Sequence, residues 1–270
     1  MDRRIEALRS FRRRHQPQRT RVDGVEWSYY DLGAGGCTLV FLHGLAGAGD
    51  IWFQQLEAFA PSCRVLAPSY PPLGTLAGLA AGVWAVLDVA AAARAVLVGS
   101  SLGGLLAQYL VADRPERVEK AVFGNTFPPG HPQILRGRRL AALARLLPEK
   151  LVLATMWRNA REKLVPAAAG DSLLAAYLYE QYHGGMRKAD VLARSRAVFE
   201  TFETAAPPFP HAIYEAANDP LIAPPVRRAL RELYPRAWVH TFGEVGHFPY
   251  LSHAGEYNRA LKTFLHVTDA

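Results

Sequence analysis

The sequence predicts an α/β fold: a mostly parallel sheet with helices on both faces and a helical insertion between two of its strands. Three observations point there. Short aliphatic runs, TLVFL (38–42), RVLAPSYP (64–71) and AVLVGS (95–100), alternate with helix-length segments. Continuous runs of that kind belong to strands buried on both faces. Proline-rich brackets, FPPGHP (127–132) and APPFP (206–210), enclose a stretch with no strand pattern. The chain of 270 residues, 50% hydrophobic and 20% charged, is long enough for one sizeable core.

Taken in order, residues 1–20 read as a basic leader, 21–127 and 208–270 as the core domain, and 128–207 as a helical cap. The run RVDGVEWSYYDLG (21–33) is two extended pieces around an Asp-Gly turn, a β-hairpin. After TLVFL a glycine-rich loop leads to a helix over 50–60, and further helices are expected over 75–92 and 102–114. KAVFGNTF (120–127) is a strand, and 133–147, 149–158, 171–183 and 186–203 read as the cap helices. HAIYEAA (211–217) restarts the sheet, 224–235 is helical, AWVHTFG (237–243) is the last strand, and 254–266 closes the chain as a helix.

The net charge is +7, and residues 1–21 carry eight arginines against Asp2 and Glu6, which is +6 of it. The basicity therefore reads as a property of a solvated leader packing Ile5, Leu8 and Phe11 on the body, and no nucleic-acid partner is expected. The leader has no apolar core or small-residue cleavage site of a secretory signal, and Asp2 and Glu6 are unlike a transit peptide. No apolar run reaches the roughly 20 residues of a membrane-spanning helix. Cys37 and Cys63 each open an apolar run and read as buried free thiols, which fits a cytoplasmic protein.

Two serines stand side by side in VLVGSSLGGLLA (96–107), and the frame separates them. Gly99-Ser100-Ser101-Leu102-Gly103 puts Ser101 at the centre of G-x-S-x-G, a sharp strand-to-helix turn that lifts the hydroxyl above the carboxyl edge of the sheet. Gly99 and Gly103 are needed where strand and helix meet. A serine hydroxyl needs a base, and the base an orienting acid. In GEVGHFPYL (243–251), after the last strand, His247 is the candidate base; His253 reads as a cap or surface residue and His240 as a strand residue. In AANDPLI (216–222), Asp219 is the candidate acid, held by an Asx turn at Pro220, whereas Glu215 lies inside the strand. After the strand at 120–127 stand Asn125 and Thr126, so the other position for an acid reads as empty. The N–H groups of Leu45 and Leu102 are the candidate oxyanion donors, with His43 and Gly44 organising the loop.

FLHG, GSSLGG, NDPLI and GHFP, in that order, resemble the α/β-hydrolase superfamily over residues 25–268. More narrowly, WSYYDLG, IWFQQLEAFA, SSLGGLLAQ, GNTF and the segment from Leu233 to Asn258 resemble the maspardin-type branch. That resemblance implies the α/β-hydrolase fold. The branch's namesake lacks a base histidine and is treated as a binding or adaptor protein; this chain departs from it by having His43-Gly44 and His247. Ser69 stands where many of the superfamily have a structural aspartate. The expected function is acyl transfer to water on small hydrophobic esters, with no cofactor and no metal, since no H-E-x-x-H spacing occurs. Aromatic and aliphatic cap residues such as Trp157, Tyr177 and Tyr182 read mostly as packing against the core. Two alternatives stand: another Ser-His-Asp chemistry (thioesterase, perhydrolase, carbon–carbon bond hydrolase), or a non-catalytic binding protein. A His247 turned away from Ser101 favours the last.

Overall fold

The computed structural model describes residues 2–266. Eight strands form one sheet: β1 (Gln18–Val22), β2 (Val25–Leu32), β3 (Thr38–Leu42), β4 (Arg64–Ser69), β5 (Ala95–Ser100), β6 (Val118–Gly124), β7 (His211–Ala216) and β8 (Trp238–Phe242). Their spatial order is β1-β2-β4-β3-β5-β6-β7-β8, antiparallel through β2–β4 and parallel from there on. The order reverses between β3 and β5, and open α/β sheets bind ligands outside the carboxyl ends at such a switch point. The loops after β3, β5, β6, β7 and β8 all gather at that edge.

Alternate side chains of the central strands serve opposite faces. Leu39 and Phe41 of β3 enter one buried cluster, while Val40 and Leu42 enter the other. The first face is covered by α1 (Arg3–Arg14), α2 (Phe53–Phe59) and α13 (Ala254–His266); the second by α3 (Leu76–Val89), α4 (Leu102–Asp113) and α11 (Pro224–Leu233). A short α12 (Pro249–Ser252) precedes α13. Between β6 and β7 the chain forms α5 (Pro132–Leu135), α6 (Arg138–Leu143), α7 (Glu149–Asn159), α8 (Val165–Ala167), α9 (Ser172–Glu180) and α10 (Lys188–Val198). The helix expected over 133–147 is split into α5 and α6 at Gly137, a weak helix former. Tyr177 and Tyr182 are buried in the same cluster as Phe41, Trp157 packs against it partly buried, and Tyr179 is half exposed.

Four expectations are corrected. The hairpin begins at Gln18, inside the expected leader, and turns at Asp23-Gly24, both at positive φ. β1 is a mostly polar, exposed edge strand, so no apolar run announced it.

The leader packs Ile5, Leu8 and Phe11 on the body as expected, but its arginines are not simply solvated. Its helix α1 buries Leu8 and Phe11. Arg4 pairs with Asp2 and Asp171, Arg12 with Asp50 and Glu180, and Arg14 with Glu57.

Basicity is also not confined to the leader. Residues 136–163 hold eight Lys and Arg against Glu149 and Glu162, offset by an acidic remainder.

Cys37 and Cys63 are joined in a disulfide. They immediately precede β3 and β4, which pair in parallel with Thr38 opposite Arg64. That register brings the two residues together, with Cα atoms 4.9 Å apart. Sequence alone does not reveal that these strands are neighbours.

Candidate active site

Ser101 sits between β5 and α4 with φ 57° and ψ −120°, a backbone conformation that non-glycine residues adopt only where the surroundings enforce it. A Cβ at Gly99 would lie 2.1 Å from the Gly103 carbonyl oxygen, and one at Gly103 would lie 2.0 Å from that of Leu42. Any side chain at either place would push strand, helix and β3 apart. The turn is held by the Ser101 N–H donating to Gly124 O at 2.9 Å and by Thr126 Oγ1 donating to Ser101 O at 2.7 Å. Ser101 remains partly exposed at the carboxyl edge.

Asp219 and His247 come from the loops after β7 and β8 and meet at 2.7 Å, Oδ2 to Nδ1, both buried. Asn125 Nδ2 donates to the same Oδ2 at 2.8 Å, and the N–H groups of Leu221 and Ile222 donate to Oδ1 at 2.8 and 3.1 Å. Burial alone would raise the Asp219 carboxyl; the opposing charge and hydrogen bond of His247, with Asn125 and Leu221, outweigh it and hold it below the usual range. The two loops are locked to each other by Asn218, which accepts from Gly246 N–H and donates to Ala167 O, both at 2.8 Å. Ser101 Oγ makes no hydrogen bond to His247 among the described residues. It lies near Gly44, where an added Cβ would come within 3.7 Å of it.

The loop after β3 is fixed from two sides. His43 is fully buried, stacked on Tyr70 with ring centroids 3.8 Å apart. Its Nδ1–H donates to Gly44 O at 2.7 Å and its Nε2 accepts the Tyr70 N–H at 3.2 Å. Burial, and then the nearby Arg194 charge, hold this imidazole well below its usual range, so it is neutral and spoken for at both nitrogens. Arg194 reaches across from α10. Its guanidinium donates to Leu45 O at 2.8 Å, Gly47 O at 2.9 Å and Tyr70 O at 3.1 Å. It is 4% exposed, makes no ion pair among the described residues, and burial lowers its affinity for its proton. The N–H groups of Leu45 and Leu102 find no acceptor among the described residues; the latter heads α4, where N–H groups have no helical partner.

Other candidates fall elsewhere. Glu215 is buried in β7 and bound to Arg231 and Thr241. His240 packs among Tyr214, Trp238 and Phe242 on β8, and His253 lies between α12 and α13. Ser69 Oγ accepts the Gly49 N–H at 2.9 Å, a local bond in place of an ion pair. The position after β6 holds no acid, as expected; Asn125 there instead donates to Asp219. Asn125, Asn218 and Arg194 escape sequence reasoning because their partners lie 94, 28 to 51 and 124 to 149 residues away. The one available signal was Asn125 standing where a strand meets the carboxyl edge of the sheet.

A sequence model of the alpha/beta hydrolase family matches residues 39–260, a span that includes Ser101, Asp219 and His247. The chain is 27% identical over 278 residues to the 2-hydroxymuconate semialdehyde hydrolase of Pseudomonas sp. strain CF600, covering 92% of this chain and 93% of that protein. It is 34% identical over 110 residues to maspardin of Danio rerio, covering 39% of this chain and 35% of maspardin. The chain spans only 28% to 42% of the length of the first curated relatives it matches. Among solved structures, a hydrolase from Pseudomonas aeruginosa PA01 superposes with a TM-score of 0.78 at 21% identity, covering 94% of this chain and 98% of that one. At that identity the likeness is one of fold.

Proposed function

This chain belongs to the alpha/beta hydrolase family, and we propose that it is a serine hydrolase acting by acyl transfer to water. The observation that carries the reading is the buried Asp219–His247 pair at 2.7 Å, set on the same sheet edge as the strained Ser101 turn. In this reading His247 Nε2 takes the Ser101 proton as Oγ attacks a carbonyl carbon. Asp219 fixes the Nδ1–H tautomer and stabilises the imidazolium. The N–H groups of Leu45 and Leu102 receive the oxyanion. Collapse expels the alcohol, protonated by His247, and a water activated by the same imidazole releases the acid. Catalytic hydrogen bonds often tighten only when substrate is seated, so the Ser101–His247 contact belongs to the complex. The inserted helices act as the cap, and their aliphatic and aromatic side chains favour small esters with a hydrophobic acyl or alcohol part.

Two observations favour other readings. The near full-length likeness to a semialdehyde hydrolase favours carbon–carbon bond hydrolysis on the same residues. The absence of a direct Ser101–His247 bond favours a binding protein on this scaffold. A panel of p-nitrophenyl esters, an acyl thioester, a peroxide-forming assay and a vinylogous diketone decides among them, run on wild type, Ser101→Ala and His247→Ala. Ester turnover that both substitutions abolish supports the esterase; turnover of the diketone alone supports the second reading, and no turnover the third. A cytoplasmic location belongs to this proposal too. No helix among the described residues is long and apolar enough to cross a membrane. The Cys37–Cys63 disulfide bears on the point, because reducing compartments keep such pairs as thiols. Thiol trapping in intact cells decides it.

A further inference from the structure

A sizeable cleft among the described residues lies apart from Ser101. It has a volume of about 940 Å³ and lies between α6, α10 and the flanks of α3 and α4; Ser101, Asp219 and His247 do not line it. Helix α10 divides the two places. Leu192, Ser195, Arg196 and Phe199, at the i, i+3, i+4, i+7 spacing of one helical face, line the cleft. Arg194, on the opposite face of the same helix, grips the loop beside Ser101.

The cleft has two chemistries. Its apolar part is built by Leu192, Phe199, Tyr109 and Phe202, the last two in edge contact with centroids 5.2 Å apart. Its charged part is Arg138, Arg145 and Arg196. Among the described residues none of these three guanidinium groups has a carboxylate partner or a hydrogen bond. By contrast, Arg4, Arg12, Arg14, Arg64 and Arg231 are each paired. Arg196 lies folded against Gly74, where a Cβ would stand 2.7 Å from its Nε. The only carboxylate on the lining, Glu200, is committed: its Oε2 accepts the Leu76 N–H at 2.6 Å at the start of α3. The positive charge of these three arginine side chains raises the local concentration of anions in the cleft.

We propose that this cleft is a second ligand site, for an amphiphile with one anionic head, carboxylate or phosphate, and an apolar body. The head sits among Arg138, Arg145 and Arg196, where guanidinium forks match both oxyanions. The body lies on Leu192, Phe199 and Phe202. A simple inorganic anion would leave the apolar surface in water, and a neutral lipid would leave the arginines unanswered. The site is separate from the Ser101 centre and does not rest on the proposed reaction.

The test is calorimetric titration of the full chain with decanoate, decyl phosphate and decanol, all below their micellar range. Four proteins are compared: wild type, Ser101→Ala, the Arg138→Ala/Arg196→Ala double variant, and Ala142→Trp, which fills the cleft from an exposed position. Both anions should bind wild type and Ser101→Ala alike, at least tenfold more tightly than decanol, and the tighter anion identifies the preferred head. The double variant should weaken both anions at least tenfold without affecting decanol, and Ala142→Trp should remove binding. No binding of either anion overturns the proposal. So does equal affinity for wild type and the double variant, or decanol binding as tightly as the anions.

Discussion

Asn125 and His247 share one oxygen. Both donate to Asp219 Oδ2, at 2.8 and 2.7 Å, from loops after different strands. The acid is thereby held at the same oxygen that accepts from the imidazole. Asn125 itself is pinned by its N–H donating to Tyr214 O at 2.6 Å. Truncating Asn125 to Ala removes a hydrogen bond to a buried charge, a loss of about 1.5–3 kcal/mol. Turnover should fall about tenfold or more with KM little changed, and the acid limb of the pH–rate profile should move up. Asp219→Asn should be far worse, about 10⁴-fold, because the wrong tautomer is then favoured. Steady-state kinetics across pH checks both.

Arg194 tests the link between cap and loop. Replacing it by Met leaves the carbonyls of Leu45, Gly47 and Tyr70 without their donor. A displacement of the loop on the order of 1 Å would cost about 10²-fold in turnover. The expected result is a fall in kcat with KM nearly unchanged, accompanied by a lower melting temperature. Arg194→Lys should recover part of kcat. A variant that loses stability but keeps wild-type kcat would leave Arg194 with a packing role only.

His43 has its pKa lowered by burial, so the folded state refuses a proton that the unfolded chain takes up below about pH 6.5. Stability from this group is complete above that pH and is lost as pH falls toward the lowered folded value. The limiting slope is about 1.4 kcal/mol per pH unit for one proton. His211 and His240, also lowered by burial, act in the same direction. Urea unfolding between pH 7 and pH 5 should show wild type weakening more steeply than His43→Gln. The difference should approach one proton.

The disulfide closes a loop with a sequence separation of 26. Chain-entropy reasoning puts its contribution at about 3.5 kcal/mol. Reductant should lower the melting temperature of wild type and leave that of Cys37→Ser/Cys63→Ser unchanged. A thiol assay on the unreduced, denatured protein should find no free cysteine.

Legibility in the sequence followed burial. β3 and β5 coincide with the runs TLVFL and AVLVGS because central parallel strands are apolar along their whole length. β1, polar and at the sheet edge, carried no such mark. Chain order pointed to Asp219 and His247, and these side chains do meet. What could not be read were contacts that exist only once the sheet order is known. The Cys37–Cys63 bond needs β3 beside β4, Asn125 needs β6 beside β7, and Arg194 needs α10 laid over the β3 loop. The arginines of the leader and those of residues 136–163 look alike in sequence. Only the structure shows the first group largely paired and Arg138 and Arg145 of the second bare.

The proposed reaction stands on Ser101 being an activated nucleophile with His247 as its base. Labelling of the folded protein with a fluorophosphonate, followed by peptide mass spectrometry, tests it most directly. One adduct is expected, on Ser101, absent in Ser101→Ala and formed at least 10²-fold more slowly in His247→Ala. A folded wild-type protein that takes no label, or that labels equally fast without His247, would contradict it.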